Sequence, residues 1–463
     1  MKAFVIAGTH SGCGKTTLAL AFMAALAARG LRVAPFKVGP DFIDPGHHTR
    51  ITGRSSRNLD GWMLSKAYNQ SCFETNTRQA DVAVVEGVMG LYDGYDGRSE
   101  AGSTAQMAKW LGLPVVLVVD AAGMARSAAA IVHGFESFDP DLSFAGVIFN
   151  NLGSPGHFQY LKKAVQDRVR ISCIGGVLRD AAVTIPERHL GLVTGDEYII
   201  SPKEAGRLAA LVEQNLNLDA FLKRLPAIEP KIFGQGRQKR FSRKKVRIAI
   251  ARDKAFCFYY SDNLELLAAC GAELFYFSPL EDQGLPEDLD GIYLGGGYPE
   301  LFAEKLSENR PMRRQILQLS QNGMPIYGEC GGFMYLCEKI RDTQNRVWPM
   351  TGCFPFTTRM FTRLKALGYR EVVISHDTII GNAGLCIRGH EFHYSGIDEA
   401  PGKYPVKNVY RISARSGLKK TPEGYQVNRT LGSYNHLHFG SRPEVAVNFI
   451  QHCVKYNQER AKH

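Results

Sequence analysis

Short, β-rich and largely apolar runs alternate along the first half of the chain with longer stretches in which apolar positions recur every three or four residues. The runs are Ala3–Ala7, Val33–Val38, Asp81–Glu86, Pro114–Asp120, Phe144–Asn150 and Ser172–Val177, and amphipathic segments such as Thr17–Arg29 and Ala125–Phe138 lie between them. Runs of four to seven residues punctuated by helical periods predict strands joined by crossover helices, and so a mainly parallel, doubly wound sheet. The run Val115–Val119 has no polar face, as expected of a strand covered on both sides. The alternation restarts with Val246–Ala251, a helix around Asn263–Cys270, and strands at Leu274–Phe277, Gly291–Leu294 and Pro325–Tyr327. From about Trp348 the pattern turns strand-rich and ends in a helix after Arg442.

A chain of 463 residues is too long for one ordinary core. The restart predicts a first domain over 1–228, a linker over 229–245 and a second α/β domain over 246–455. The formal charge of +11 changes the picture only locally, because Arg237, Lys239, Arg240, Arg243, Lys244 and Lys245 crowd into one stretch of the linker. No nucleic-acid reader fold or aromatic interleaving accompanies them, so no nucleic-acid partner is expected. No apolar run approaches the roughly 20 residues needed to span a bilayer, and neither a membrane partner nor export is expected. Ten scattered cysteines read as reduced thiols of a cytoplasmic enzyme.

The first strand runs into Gly8-Thr9-His10-Ser11-Gly12-Cys13-Gly14-Lys15-Thr16-Thr17 and then an alanine-rich helix. In that context a glycine loop turns its N–H groups and the helix N-terminus onto phosphates. Gly12, Gly14, Lys15, Thr16 and Thr17 are therefore candidate ATP ligands, with Lys15 neutralising the β and γ phosphates and the Thr16 hydroxyl ligating magnesium. Gly8 lies one residue earlier than the commonest spacing, and the loop resembles that of dethiobiotin synthetase and related carboxylate-activating enzymes. A partitioning-type P-loop ATPase, a non-enzymatic switch on the same sheet, carries a lysine where this chain has His10. Carboxylates follow at predicted strand ends: Asp41 and Asp44 after the second, Glu86 on the third, and Asp93 in Met89–Gly94.

In the second domain Met324–Tyr327 reads as a strand, Gly328-Glu329-Cys330-Gly331-Gly332 as a sharp turn, and Phe333–Lys339 as a helix. A cysteine at such an elbow is the candidate nucleophile, with backbone N–H groups of Gly331 and of Gly295 and Gly296, at another strand end, as oxyanion donors. The base should be a histidine distant in sequence. Ser433–Phe439 offers His436 and His438, which strand alternation puts on one face. The histidines of Gly389–Ser395 lack the spacing of a zinc helix.

The elbow, the glycine strand end and the late histidine together resemble the class I glutamine amidotransferases, except that His436-Leu437-His438 stands where most of that class have His-x-Glu. That departure, with the loop GTHSGCGKTT, the segment KVGPDFIDPGHH, Glu86–Gly94 and GHEFHYS, resembles the cobyrinate a,c-diamide synthase family over nearly all of residues 1–455. The resemblance implies ATP-dependent, glutamine-driven amidation of a corrinoid's a and c carboxylates in cobalamin biosynthesis. It implies Cys330 as nucleophile, His436 as the residue that raises its nucleophilicity, His438 as second choice, and no acidic third member. Thr16, Asp41 and Glu86 would take magnesium, Asp44 and Asp93 would face the substrate and the transferred phosphoryl group, and Asn150 would face adenine. Glutamine and an anionic tetrapyrrole of up to eight carboxylates are the implied partners, with Arg54, Arg57, Arg98 and Arg126 near the loops. Cobyrinate, hydrogenobyrinate and nickel-sirohydrochlorin all fit, and a homodimer is compatible. Two separate sites imply a protected route for ammonia, expected at the interdomain face.

Overall fold

The apolar runs of the first half become parallel strands in the computed structural model, which describes residues 1–179, 187–188, 191–192, 195, 197–198, 200–228, 245–398, 406–413 and 420–462. The chain divides into two compact units, Met1–Gln235 and Gly236–His463. The basic stretch lies outside the described residues apart from Lys245. Among the described residues no helix is long and apolar enough to cross a membrane.

The first unit runs β1 (Lys2–Gly8), α1 (Lys15–Ala28), β2 (Val33–Val38), α2 (Asp44–Thr52), β3 (Arg57–Leu59), α3 (Lys66–Thr77), β4 (Val82–Glu86), α4 (Thr104–Leu111), β5 (Val115–Asp120), α5 (Ser127–Phe138), β6 (Phe144–Leu152), α6 (Pro155–Gln166) and β7 (Cys173–Leu178). A two-strand pair, β8 (Glu187–Arg188) and β9 (Gly191–Leu192), then precedes α7 (Pro202–Asn215) and α8 (Leu218–Arg224). The sheet order is β3-β2-β4-β1-β5-β6-β7, parallel throughout. Both faces are covered: Ala3, Val5 and Ala7 enter one core, Phe4 and Ile6 the other. The chain leaves β1 for β2 on one side and β4 for β5 on the other. The carboxyl end of β1 is therefore a topological switch point, where α/β sheets open a crevice.

The second unit runs β10 (Val246–Ala251), α9 (Ser261–Ala269), β11 (Ala272–Phe277), β12 (Gly291–Leu294), α10 (Ala303–Glu308), α11 (Arg310–Gln321), β13 (Ile326–Glu329), α12 (Gly331–Leu336), β14 (Cys337–Arg341), β15 (Val347–Pro349), β16 (Phe354–Met360), β17 (Ala366–Ile374), β18 (Cys386–His393), β19 (Ser395–Ile397), β20 (Lys407–Ser413), β21 (Lys420–Val427), β22 (Thr430–Ser433), β23 (His436–Leu437) and α13 (Glu444–Arg460). Ten strands form one mixed sheet, β11-β10-β12-β13-β22-β21-β20-β17-β18-β23, and four more form a second, β15-β14-β16-β19. The helix expected over Phe333–Lys339 is shorter than its sequence suggested. It ends at Leu336, and Cys337 starts a strand that pairs with β16. Tertiary pairing overrides local helix preference here.

Candidate active sites

The phosphate loop takes its shape from left-handed glycines. Gly12 and Gly14 sit at φ +83° and +99°, and a Cβ on Gly14 would come within 2.0 Å of Asn150 Nδ2. Asn150 donates to the Cys13 carbonyl at 3.0 Å and braces the loop. That hydrogen bond engages one of the two amide N–H groups of Asn150. Lys15 is buried and donates to the His10 carbonyl at 2.9 Å, and burial lowers its pKa from the ordinary value.

Three oxygen donors converge beside the loop. The Thr16 hydroxyl donates to Glu86 at 2.6 Å and reaches Asp44 at 3.4 Å. Lys37, a lysine on an otherwise apolar buried strand, spans Asp44 at 2.5 Å and Glu86 at 2.8 Å. His48 Nε2 meets the other Glu86 oxygen at 2.7 Å, with Ser56 behind its Nδ1 at 3.2 Å. A buried lysine survives only when paired. Burial works against the Lys37 charge, but Asp44, Glu86 and Asp41 outweigh it and hold the ammonium well above its usual range. Burial also opposes the Glu86 charge, yet Lys37 and His48 keep that carboxyl well below its usual range. Asp44 goes the other way, pushed well up by burial and by the Asp41 and Glu86 charges.

Asp41 stands one step out from this cluster. Its Oδ1 accepts the N–H groups of Ile43 and Asp44, and its other oxygen lies 4.0 Å from Lys37. Asp44 thus meets Thr16 directly beside Glu86, while Asp41 uses one oxygen to start α2 and keeps the other toward Lys37. Asp93, itself exposed, accepts the Gly90 N–H at 2.9 Å in a turn that the Leu91 N–H ties to the Gly8 carbonyl at 2.8 Å. Thr17 lies in the first turn of α1. Of the four arginines, Arg57 is buried and Arg54 donates to the Asn76 carbonyl, while Arg98 and Arg126 remain exposed. No three His, Cys, Asp or Glu side chains among the described residues form a ready metal cage. The hydroxyl and two carboxylates are nonetheless the all-oxygen donors that suit Mg²⁺, which uses one or two carboxylates and completes its shell with water and phosphate.

At the elbow, β13 delivers Cys330 with φ +46°, a conformation costing about 1–3 kcal/mol unless the surroundings enforce it. They do so here. The Cys330 N–H donates to the Ser433 carbonyl at 2.7 Å, and a Cβ on Gly332 would strike the Leu294 carbonyl at 2.3 Å. His436 is hydrogen-bonded to the Cys330 side chain. Burial pushes the imidazolium down, but the Cys330 thiolate and the Glu329 carboxylate lift it to about 9. By contrast, burial drives the Cys337 thiol well up, as befits inert core cysteines.

Three expectations change here. β23 ends at Leu437, so alternation does not carry His438 to the thiol. That ring packs against Tyr260 at 4.4 Å, lies 3.9 Å from Asp262 and is pushed down to about 4 by burial. The N–H of Gly295 is spent on the Tyr259 hydroxyl at 2.7 Å and that of Gly296 on the Phe258 carbonyl at 3.2 Å, so neither serves an oxyanion. Gly331 remains, with Gly297 N beside it: a Cβ on Gly331 would sit 2.9 Å from that nitrogen. Gly296 instead makes room for the base, because a Cβ there would meet His436 Cε1 at 2.3 Å. Finally, an acidic neighbour is present. Glu329, the residue before the nucleophile, lies 3.8 Å from His436 Nδ1.

Residues 4–193 match the family described as the CobQ/CobB/MinD/ParA nucleotide binding domain, and residues 247–444 match the CobB/CobQ-like glutamine amidotransferase domain. Over the whole chain, the cobyrinate a,c-diamide synthase of Syntrophotalea carbinolica is 46% identical across 452 residues, covering 97% of this chain and 98% of the relative. The enzyme of that name from Salmonella typhimurium is 43% identical, covering 98% and 97%, and that from Priestia megaterium 41% identical, covering 99% and 98%.

Proposed function

Because the chain belongs to the cobyrinate a,c-diamide synthase family of glutamine-hydrolysing amidoligases, we propose that it converts the a and c carboxylates of cobyrinate to amides, with ATP as activator and glutamine as nitrogen donor. The observation that carries this reading is the presence on one chain of a thiol–imidazole elbow and a phosphate loop edged by Asp44 and Glu86.

In the second unit Cys330 attacks the glutamine carboxamide while His436 takes the thiol proton and returns it to the departing ammonia. Water then hydrolyses the glutamyl thioester to glutamate. The Gly331 N–H, with Gly297 beside it, stabilises the oxyanion. In the first unit a substrate carboxylate attacks the γ-phosphorus of ATP. Lys15 and the loop N–H groups take up the charge that spreads over the phosphoryl oxygens. Ammonia then attacks the acyl carbon of the acyl phosphate and phosphate departs. Thr16, Asp44 and Glu86 are the residues that would hold Mg²⁺, which when bound neutralises phosphate charge. Lys37 and His48 keep the two carboxylates in place, and Asp93 sits on a turn anchored to the loop. Reliance on ATP and glutamine puts the reaction in the cytoplasm.

The test supplies purified protein with ATP, Mg²⁺, glutamine and, separately, cobyrinate, hydrogenobyrinate and nickel-sirohydrochlorin. Cobyrinate is expected to gain two amides by mass, with glutamate released. Amidation of one of the other two alone would move the assignment to it, and amidation of none would end the substrate reading.

A further inference from the structure

Glu329 is a carboxylate 1% exposed, and an anion so buried needs compensation. Oε1 accepts the Tyr327 hydroxyl at 2.7 Å and the Leu437 N–H at 3.0 Å, and Oε2 accepts the Tyr293 hydroxyl at 2.9 Å. Its ion-pair partner among the described residues is His436, Oε2 lying 3.8 Å from Nδ1. The carboxylate is thus held by the backbone of the residue that follows His436, and it belongs to the residue that precedes Cys330. One short link ties the nucleophile, the base and the acid together, and β13, β22 and β23 fix all three.

We propose that Glu329 is the positioning residue of the glutaminase site: it orients the His436 ring through the Nδ1 side and stabilises its charged form. It reaches the ring from the strand that carries the nucleophile, and so fills the place left empty by Leu437-His438. This rests on the reading of Cys330 and His436 as nucleophile and base. A carboxylate on the Nδ1 side favours the proton there and leaves Nε2 to take the thiol proton.

The other titratable groups around His436 do not replace it. From β18, His390 stacks on the ring at 5.0 Å with its Nδ1 on the Tyr260 hydroxyl, and burial keeps it from charging. Glu391, on the same strand, is paired with Arg370 at 3.0 Å. His393 packs on Tyr434 and meets the Ser395 carbonyl. Glu423 of β21 is engaged by Ser433, the Tyr434 N–H and Asn435. His438 and Asp262 face each other.

The test is the pH profile of kcat/KM for glutamine hydrolysis by the full chain and its variants. In the wild-type chain the alkaline limb, where the imidazolium that protonates ammonia is lost, is expected near pH 9. Glu329→Gln should lower kcat by about 10- to 100-fold with KM little changed, and move that limb down by about one pH unit. Glu329→Asp keeps the charge and should recover part of both. Tyr327→Phe removes one hydroxyl from the carboxylate without removing charge and should move the limb up, a sign that a purely structural role does not produce. An unmoved limb in Glu329→Gln overturns the proposal. If that variant fails to fold, an unmoved limb in Tyr327→Phe does the same. Cys330→Ala separates the two layers: glutaminase activity persisting there would sink the underlying reading, whereas its loss beside an unmoved Glu329→Gln limb sinks only this inference.

Discussion

Replacing Cys330 with alanine is expected to lower glutamine-driven amidation by about 10⁴-fold or more while ammonia-driven amidation stays within about two-fold of wild type. The split follows from where each atom sits. The thiol is the group hydrogen-bonded to His436 at the elbow. The phosphate loop belongs to the other unit, with its own sheet and cores. Loss of one sulfur from a residue 6% exposed costs about 1 kcal/mol in packing, too little to unfold the unit. Parallel assays with glutamine and with ammonium salts check this, and loss of both activities would contradict separable sites.

Lys15→Ala should remove both activities, by about 10³-fold or more, because the acyl phosphate precedes nitrogen attack whatever the nitrogen source. Its ammonium is the cation that the loop itself brings to the phosphates; Lys37 is committed to Asp44 and Glu86. Glutamine hydrolysis without ATP should persist in this variant. The two substitutions therefore give opposite patterns, and measuring glutamate release beside amide formation distinguishes them. Equal loss of glutaminase activity in Lys15→Ala would mean that the units do not act as separate catalysts.

Much of this was legible in the residues because the physics is local. A strand feeding glycines and Gly-Lys-Thr into a helix, or a cysteine between a strand and two glycines, has few folded outcomes. Which of Asp41 and Asp44 meets Thr16 was not legible: both follow β2, and only the folded hydrogen bonds show Asp41 Oδ1 accepting the N–H groups that start α2 while Asp44 meets Thr16 and Lys37. His438 misled because β23 is two residues long, a length that alternation cannot reveal. Gly295 and Gly296 misled because a non-local bridge to Phe258 and the Tyr259 hydroxyl consumes their N–H groups. Lys37 did leave a signal, a lone charge within an apolar strand. Glu329 left a weaker one, since a glutamate beside a nucleophile reads as an ordinary turn residue until Tyr293, Tyr327 and His436 are seen around it.

The central claim is that nitrogen freed at Cys330 displaces phosphate from a carboxylate activated at the Lys15 loop. Its most direct measurement uses amide-¹⁵N glutamine and cobyrinate labelled with ¹⁸O in its carboxylates, in one reaction with ATP, Mg²⁺ and the full chain. The account predicts ¹⁵N in both new amides and one ¹⁸O in inorganic phosphate for each amide formed. Amides carrying ¹⁵N with no ¹⁸O in the phosphate would contradict it.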